Sequence, residues 1–546
     1  MPHRPWCRRA ILRRCFLAGL AVVLLTTLGN CSAPQTPESG QSQLLVFGSG
    51  GQPVNLTPGN VTDGNSIYAQ RQLYNTLLGT EAGRTDLVPE LATNWTSSED
   101  GRTWTFTLRE GLKFHDGTPC NAEAVVFNVQ RWWDPEFDFG DRDQGNLYEI
   151  WPNLFGGFKG DPASILASVQ APDPQTVVFQ LTTAFAAFPA AISSGYFGIA
   201  SPTAIRSARS SYGKPSGPAV GTGPFVLQDW RSGDRLTLTK NQTYWQRDRP
   251  RAETLILRFV EDPAARLAQL RSGTLDFTVD LTPDQRPEIE QDPQLQSVVR
   301  PSLNVGYLAL NPSYDPLSKP EVRRALAQSL NKSEIVQAFW GDLGQTDGHF
   351  IPPALGDFRA AEVSDYPYDP AAARQALAQA GYPNGFDLDL WYMPVSRPYF
   401  PNPKPIAEAL AAELSQIGIR VKLQTKDWGS YLADRNRAPG FQAFMLGWTA
   451  DYADPDNFLY AHFGPGSTQD LGGYQNSQLF TWLNQARSTP DPARRQQLYQ
   501  NIDQLLFTEA LRIPIVHSQP LLAQRSRLRG WQPSPLGSED FAAVEK

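Results

Sequence analysis

The chain has 546 residues, a length that exceeds one compact core and predicts division into two or more lobes. Its 41% hydrophobic and 11% aromatic residues are typical of a packed globular protein and exclude a largely disordered chain. The formal charge is −7 and no long basic run follows residue 30, so the chain has no general electrostatic reason to bind nucleic acid or an anionic membrane surface.

The first 30 residues are typical of an export signal. Five arginines and no acidic residue precede the apolar run FLAGLAVVLLTTL at 16–28, which is too short for a comfortable membrane-spanning helix. We therefore expect residues 1–30 to be a signal peptide. The motif RRCFL at 13–17 loosely resembles a twin-arginine export motif, which leaves both the general secretory and the twin-arginine routes open.

The segment after this signal predicts a lipid anchor and a tether. LGNC at 28–31 resembles the bacterial lipobox, in which the cysteine becomes the lipidated first residue of the mature protein, so Cys31 is the expected lipidation site. SAPQTPESGQSQ is polar and without apolar periodicity, so residues 31–43 are expected to form a flexible linker. Cys120 would then be the remaining cysteine of the mature chain, which excludes an intramolecular disulfide.

The first half of the chain mixes strand and helix patterns. LLVFGSGG at 44–51 predicts a short strand, and TWTFTLREGLKF at 103–114 and TVVFQLTT at 176–183 alternate as half-buried strands do. NAEAVVFNVQRWW at 121–133 predicts a helix with Asn121 as its N-cap.

The second half has clearer helix boundaries. In YDPAAARQALAQAGY, Asp369 is the expected cap, Pro370 the first helical residue and Gly381 the end of the helix. KPIAEALAAELSQIG at 404–418 predicts a helix that leads into the strand IRVKLQT, and DPARRQQLYQNIDQLLF at 491–507 repeats the Asp-Pro start. These units predict an α/β protein with mixed sheets and a second lobe with its own sheet.

The sequence offers no recognisable reaction centre or metal site. The five histidines fall in no HExxH pattern and in no metal-ligand spacing with cysteine or carboxylates. GxSxG and GxxxxGK motifs are also absent from the sequence. The sequence therefore predicts a protein that is not an enzyme and that has neither a cofactor nor a metal site.

Several motifs, in order along nearly the whole mature chain, resemble the family 5 extracellular solute-binding proteins, which serve peptide, nickel and glutathione importers. The longest is ELATNWTSSEDGRTWTFTLREGLKFHDGTPCNAEAVVFN at 90–128. The others are GTGPF at 221–225, LNVGYLALN at 303–311, PEVRRALAQSLNKSEIV at 320–336, IPP at 351–353 and the helix motif beginning at Tyr368.

The resemblance implies a two-lobed periplasmic-binding-protein fold of the large, three-subdomain type, with mixed sheets and hinge strands between the lobes. Lobe I would comprise residues 44–303 plus 517–546, with an inserted subdomain at about 85–210. Lobe II would comprise residues 304–516 and carry the ligand anchors.

Two segments resemble the dipeptide-binding branch of this family, LWYMPVSRPYFPNP and MLGWTADYADPDNFLY. By that resemblance Arg397 binds the peptide carboxylate and Asp451 binds the α-amino group. Tyr399, Trp428 and Trp448 are then candidate walls of the pocket. The branch often carries a disulfide in its second lobe, and the corresponding stretch of this chain contains no cysteine.

The chemistry of a dipeptide suits such a pair of anchors. Its charged ends lie ~7 Å apart when it is extended, so one fixed cation and one fixed anion measure its length. Arginine binds a carboxylate through two parallel hydrogen bonds, and aspartate offers several acceptor sites to an ammonium. A ligand that lacks either end would leave a protein charge buried without a partner.

The expected function is that of the substrate-binding component of an ABC importer, which captures dipeptides or short peptides by their charged termini and delivers them to the permease. The protein is expected to be a monomer outside the cytoplasm, periplasmic or on the outer face of the cytoplasmic membrane, held there by its lipid. Five alternatives remain open at this stage: longer oligopeptides, glutathione or haem as the ligand; a peptide-sensing lipoprotein without transport; and, from another class, an extracytoplasmic hydrolase.

Overall fold

The computed structural model describes residues 44–435, 437–467 and 473–546. Residues Gln41–Lys546 form one compact unit. The expected signal peptide at 1–30, the linker at 31–43 and the lipidation site Cys31 lie outside the described residues.

The strands are numbered in chain order. They are β1 (Leu44–Ser49), β2 (Leu78–Thr80), β3 (Leu87–Pro89), β4 (Ala92–Ser97), β5 (Thr103–Leu108), β6 (Leu166–Asp173), β7 (Thr176–Leu181), β8 (Phe225–Arg231), β9 (Arg235–Lys240), β10 (Thr254–Phe259), β11 (Phe277–Leu281), β12 (Leu295–Val299), β13 (Asn304–Leu310), β14 (Gly344–Gln345), β15 (Asp387–Trp391), β16 (Arg420–Gln424), β17 (Ala443–Thr449), β18 (Arg512–Ser518) and β19 (Leu521–Arg525).

The α-helices are numbered in the same way. They are α1 (Gly64–Leu73), α2 (Ala122–Trp133), α3 (Ile150–Phe155), α4 (Phe188–Ile192), α5 (Pro202–Ala208), α6 (Pro263–Arg271), α7 (Arg286–Gln291), α8 (Asp315–Ser318), α9 (Pro320–Gln328), α10 (Lys332–Phe339), α11 (Pro370–Gln379), α12 (Pro403–Gln416), α13 (Trp428–Arg435), α14 (Asp456–Phe463), α15 (Ser477–Ser488) and α16 (Pro492–Glu509).

The described strands form two large mixed sheets and two smaller antiparallel ones. The larger mixed sheet has the order β12-β19-β11-β1-β10-β9-β8, in which β1 runs parallel to β10 and β11. The second has the order β14-β18-β13-β17-β15-β16, in which β13 is antiparallel to both of its neighbours and β15 is parallel to both of its own. The smaller sheets are β4-β5-β7-β6 and β2-β3. The mixed α/β class predicted from the sequence is confirmed.

Three large clusters of buried apolar side chains follow these sheets in the part of the chain that the structure describes. The first core draws its buried residues from Leu45–Val279 and Leu522–Val544. The inserted core draws them from Leu77–Ile199, with Tyr452 as its one distant member. The second core draws all of its buried residues from Leu303–Val516.

Capping side chains fix the predicted helix starts. Asn121 accepts a hydrogen bond from the backbone N–H of Ala124 at 3.1 Å, and Asp369 accepts one from Ala372 at 2.8 Å. Asp491 does the same at the start of α16. Each cap satisfies a backbone donor that the first turn of a helix leaves unpaired, and each is followed by a helix that begins where the sequence predicts.

One predicted strand is too long. The alternation of 103–114 continues past the end of β5, but the chain leaves the sheet at Leu108. Gly111 has a φ of 71°, a left-handed conformation that turns the chain out of the extended direction. The alternation therefore reports a strand followed by a turn, and the apolar residues beyond the turn are buried from a loop.

Candidate ligand-binding site

Two glycines on neighbouring strands form a flat surface beside the candidate site. Gly306 of β13 pairs with Gly447 of β17 in antiparallel register. A Cβ on Gly447 would lie 2.3 Å from Cδ2 of Tyr399, and a Cβ on Gly306 would lie 2.8 Å from the Tyr399 carbonyl oxygen. The two glycines thus allow the backbone and ring of the buried Tyr399 to pack directly on the sheet.

A tight turn presents Arg397 above this surface. The backbone N–H of Arg397 donates to the carbonyl of Phe400 at 3.1 Å, and the N–H of Phe400 donates back at 2.9 Å. Pro398 occupies the second position of the turn, where its fixed φ is suited. The turn directs Tyr399 and Phe400 into the second core and leaves Arg397 exposed.

The Arg397 guanidinium has an aromatic neighbour and, in the described part of the chain, no acidic partner. Its central carbon lies 5.3 Å from the ring centre of Trp428, which stacks in turn on Tyr431 with a 17° angle between the rings. Within the described residues Arg397 forms no ion pair, and its Nη1 donates to the neighbouring Ser396 carbonyl at 3.2 Å. Burial raises the pKa of Tyr399, and the positive charge of Arg397 opposes that rise. Arg397 is therefore a cation held against aromatic rings, with no counter-charge from the described side chains.

Asp451 follows β17 and is held by neutral groups. Its Oδ1 accepts a hydrogen bond from the Tyr196 hydroxyl at 2.9 Å, and its Oδ2 accepts one from Nδ2 of Asn457 at 3.1 Å. The Asp451 backbone N–H donates to Oδ1 of Asn457 at 2.8 Å, and its carbonyl accepts from the Ser194 hydroxyl at 2.7 Å. These four bonds fix both the backbone and the carboxylate.

The other two aspartates of this loop have arginine partners. Asp454 pairs with both terminal nitrogens of Arg495, at 2.8 and 2.6 Å. Oδ2 of Asp456 lies 3.7 Å from Nε of Arg487. Asp451 pairs with no cation among the described residues, and burial raises the pKa of its carboxyl above the ordinary value, with the bonds from Asn457 and Tyr196 acting in the opposite direction. Asp451 is thus the one acid of the three without a positive partner.

A continuous set of contacts joins the two charged groups. The Tyr399 ring packs on Gly447, and the next residue, Trp448, donates from its indole Nε1 to Oδ1 of Asn457 at 3.0 Å. The same Asn457 oxygen accepts from the Asp451 backbone. The contacts therefore bring Arg397 together with Tyr399 and Trp428, and bring Asp451 and Trp448 onto a shared partner, Asn457.

The four described histidines are held by backbone groups and carboxylates. Hydrogen bonds join each of these four rings to backbone groups or carboxylates. The ring of His115 bonds to the Gly223 carbonyl, that of His349 to the Asp503 carboxylate, and that of His462 to the Phe458 carbonyl. The ring of His517 bonds to the carbonyls of Asn304 and His349 and to the Asp347 carboxylate.

The described part of the chain contains neither a metal-ligand cluster nor a helix that could span a membrane. Residues 44–546, apart from 436 and 468–472, contain no group of three or more histidine, cysteine or acidic side chains placed to hold a metal ion. Over the same ranges, no helix has the length and apolar character needed to cross a bilayer.

The sequence is similar to curated proteins over almost its full length. It is 32% identical to heme-binding protein A of Haemophilus influenzae over 538 residues, covering 96% of each chain. It is also 32% identical to the dipeptide-binding protein of Escherichia coli over 539 residues, covering 96% of this chain and 97% of the relative. Among solved structures, the dipeptide-binding protein of Pseudoalteromonas sp. SM9913 in complex with Met-Leu matches with a TM-score of 0.75 and 27% identity, over 92% of this chain and all of that one.

The family model of bacterial extracellular solute-binding proteins, family 5 Middle, matches residues 86–470. With the full-length relatives, this match shows that the chain belongs to the family 5 extracellular solute-binding proteins. The periplasmic-binding-protein fold expected from the sequence motifs is confirmed.

Three residues of the site were not found from the sequence. Asn457 directly follows the aspartate-rich loop, so its proximity to Asp451 could have been suspected from its position. Ser194 and Tyr196 come from ISSGYFGIA, more than 250 residues earlier, and no local pattern marks them. Their role becomes visible only through the contact between the inserted core and the loop that follows β17.

Proposed function

We propose that this protein is the substrate-binding component of an ABC importer and captures dipeptides or other short peptides by their two charged ends. The observation that carries the proposal is a pair of opposite charges, Asp451 and Arg397, neither of which has a counter-charge among the residues that the structure describes. A zwitterionic peptide supplies both missing partners at once.

The amino end of the peptide is assigned to Asp451. A carboxylate offers about four acceptor sites, of which Tyr196 and Asn457 use one on each oxygen. The remaining sites suit the N–H groups of an ammonium. Because the carboxylate already lacks water on much of its surface, an ion pair formed there is stronger than one in bulk solvent, and a ligand without the ammonium leaves the charge unpaired.

The carboxylate end of the peptide is assigned to Arg397. The planar guanidinium can form two parallel hydrogen bonds with a carboxylate, and its contact with Trp428 restricts its orientation before a ligand arrives. Tyr399, Trp428 and Trp448 then serve as pocket walls. Recognition of the two ends leaves the peptide side chains free of specific demands, which allows many sequences to bind.

The proposal includes a two-lobed architecture with closure around the ligand. Lobe I would be residues 44–303 plus 517–546, with the insertion at about 85–210, and lobe II would be residues 304–516. The separation of the first, inserted and second cores supports these boundaries. Hinge closure around a ligand is a known motion of two-lobed periplasmic binding proteins.

The remaining parts of the proposal concern location and partners. The protein would be exported, lipidated at Cys31 and tethered outside the cytoplasmic membrane as a monomer, where it delivers peptide to permease subunits. It would catalyse no reaction, which the bonding of its described histidines to backbone groups and carboxylates supports. Uptake of labelled dipeptide in cells with and without the gene tests the delivery step.

Calorimetric titration of residues 41–546 tests the ligand class. Free dipeptides should bind, and N-acetylated dipeptides should bind about 100-fold more weakly, since one buried charge then lacks its partner. Equal affinity for free and acetylated dipeptides would contradict the assignment of Asp451. Hexapeptides that bind as tightly as dipeptides would instead identify a longer oligopeptide as the ligand.

The names of two kinds of relative supply competing ligands, haem and glutathione. Asp451→Asn separates haem from a peptide, because haem carries no ammonium and its affinity should not depend on this carboxylate. Asp427→Asn is the matched control, since Asp427 is an exposed acid next to Trp428 and asparagine also caps helices. Reduced glutathione is titrated in parallel, and affinity above that of every dipeptide would make it the ligand.

A further inference from the structure

Tyr196, which packs on the inserted core, and Ser194, two residues before it, contact Asp451 although they are far from it in sequence. Tyr196 donates its hydroxyl to Oδ1 of Asp451, and Ser194 donates to the Asp451 carbonyl. Both follow α4 in a turn whose backbone is held by the bond from the Gly59 N–H to the Tyr196 carbonyl at 2.7 Å. The residue after Asp451, Tyr452, is itself a buried member of the inserted core. Asp451 therefore lies where the inserted core meets the second core.

The two side-chain bonds to the Asp451 carboxylate differ in origin. Asn457 lies six residues further along the same loop and belongs to the same part of the chain, so its bond does not depend on the inserted core. Tyr196 reaches the carboxylate from the other side of the junction. A motion that separates the two cores would keep the Asn457 bond and break the Tyr196 bond.

We propose that Tyr196 is a positioning residue that links amine recognition by Asp451 to contact between the inserted core and the second core. This inference rests on the proposed function. The hydroxyl fixes the rotation of the carboxylate about its terminal bond, so the two unused acceptor sites point in one direction. An ammonium bound at those sites and the Tyr196 hydroxyl both stabilise the same carboxylate position, and each therefore strengthens the other.

The electrostatics of the junction give this role a measurable consequence. Burial raises the pKa of the Asp451 carboxyl, while the Tyr196 hydroxyl bond lowers it. Asp63, at the N-cap of α1, is the other titratable group that acts on Tyr196. Only the ionised carboxylate binds an ammonium, so binding weakens as the pH falls through the pKa of Asp451. Loss of the Tyr196 bond raises that pKa further, and the acid limb of the binding curve then moves to higher pH.

Tyr196→Phe tests the inference in residues 41–546, because it removes the hydroxyl and keeps the ring. We expect the Kd for a free dipeptide to rise about tenfold, as for a lost hydrogen bond to a charged group, and the acid limb to move upward in pH. Tyr368→Phe is the matched control, since Tyr368 also donates to a carboxylate, that of Glu413, but on the exposed surface. Tyr368→Phe should change neither the Kd nor the pH of the acid limb.

Ser194→Ala separates the carboxylate effect from a general loosening of the junction. Ser194 bonds to the Asp451 carbonyl rather than to its carboxylate, so this variant should weaken binding without moving the acid limb. A shift of the acid limb in Ser194→Ala equal to that in Tyr196→Phe would overturn the role assigned to the Tyr196 hydroxyl.

A double-mutant cycle completes the test. Tyr196→Phe should change the Kd less than twofold in an Asp451→Asn background, because the tyrosine acts through the carboxylate. Equal effects in both backgrounds would overturn the inference. If Asp451→Asn weakens binding about 100-fold while Tyr196→Phe changes neither the Kd nor the acid limb, the proposed function stands and the role of Tyr196 is wrong. If Asp451→Asn leaves the preference for free over acetylated peptide unchanged, the proposed function itself fails.

Discussion

The aspartates at 451 and 454 allow a carboxylate that serves the ligand to be distinguished from one that serves the fold. Asp451→Asn and Asp454→Asn remove the same charge, three residues apart, with little change in shape. We expect them to have opposite effects: the first should abolish tight peptide binding without loss of stability, and the second should destabilise the protein.

The cost of Asp454→Asn follows from its buried ion pair. Asp454 and Arg495 are each 8% exposed and share two bonds, of 2.8 and 2.6 Å. The variant leaves the Arg495 guanidinium buried without its counter-charge. Removal of one partner of a buried pair costs about 3–5 kcal/mol of unfolding free energy.

The effect of Asp451→Asn follows from the direction of its pKa. Burial raises the pKa of Asp451 in the folded protein above 3.8, the ordinary value for an aspartate, so its contribution to stability is full below that value and is lost as the pH rises through the folded pKa. At pH 7 the ionised carboxylate therefore opposes folding. Asparagine removes this charge, so the variant should be at least as stable as the wild type at pH 7, and any advantage should vanish below pH 4.

Urea denaturation of ligand-free residues 41–546, followed by tryptophan fluorescence, measures both effects. Because a protein with several cores can unfold in steps, the slopes of the transitions are compared before the free energies. The same samples are titrated with a dipeptide. A loss of stability in Asp451→Asn as large as that in Asp454→Asn would refute the reasoning, because Asp451 would then be a structural residue.

Three further predictions concern Arg397, the glycine surface under Tyr399, and the pH dependence of dipeptide binding. Arg397→Ala should raise the Kd for dipeptides about 100-fold and leave the melting temperature unchanged, since Arg397 is exposed. Arg397→Lys should recover only part of the affinity, because the lysine ammonium lacks the planar fork of the guanidinium. Calorimetry measures the affinities, and thermal melting measures the stabilities. Gly447→Ala should weaken dipeptide binding and lower the free energy of unfolding by about 1–3 kcal/mol, since its Cβ would collide with the Tyr399 ring. Gly356→Ala is the control, because Gly356 has open space around it, and it should change neither quantity. A Gly447→Ala variant that is as stable as the wild type and binds dipeptides equally well would contradict the described packing. Dipeptide affinity should fall as the pH is lowered through the raised pKa of Asp451, and Asp451→Asn should lose this acid limb in titrations from pH 7 to 4.

Local chemistry made part of the fold predictable. Asp369 and Asp491, each followed by proline, predicted helix starts because the cap and the first helical residue have requirements that neighbouring residues satisfy. The alternation in 103–114 failed beyond Leu108, since period two also occurs where a turn buries apolar residues from a loop. The position of β13 between β17 and β18 could not be predicted, because strand pairing joins segments that are distant along the chain.

The site was predictable to a similar extent. Arg397 and Asp451 were inferred from motifs that each occupy one short segment. Gly306 lies in the motif LNVGYLALN and Gly447 in MLGWTADYADPDNFLY, but their pairing across two strands appears only in the fold. Tyr196 carries no local signal, since its relation to Asp451 depends on how two separate cores pack.

A crystal structure of residues 41–546 with a bound dipeptide tests the central claim most directly. We expect the peptide carboxylate to accept two hydrogen bonds from the Arg397 guanidinium and the α-amino group to donate to the Asp451 carboxylate, both within about 3 Å. A peptide whose termini contact neither residue, with Arg397 or Asp451 facing solvent away from the ligand, would contradict the account.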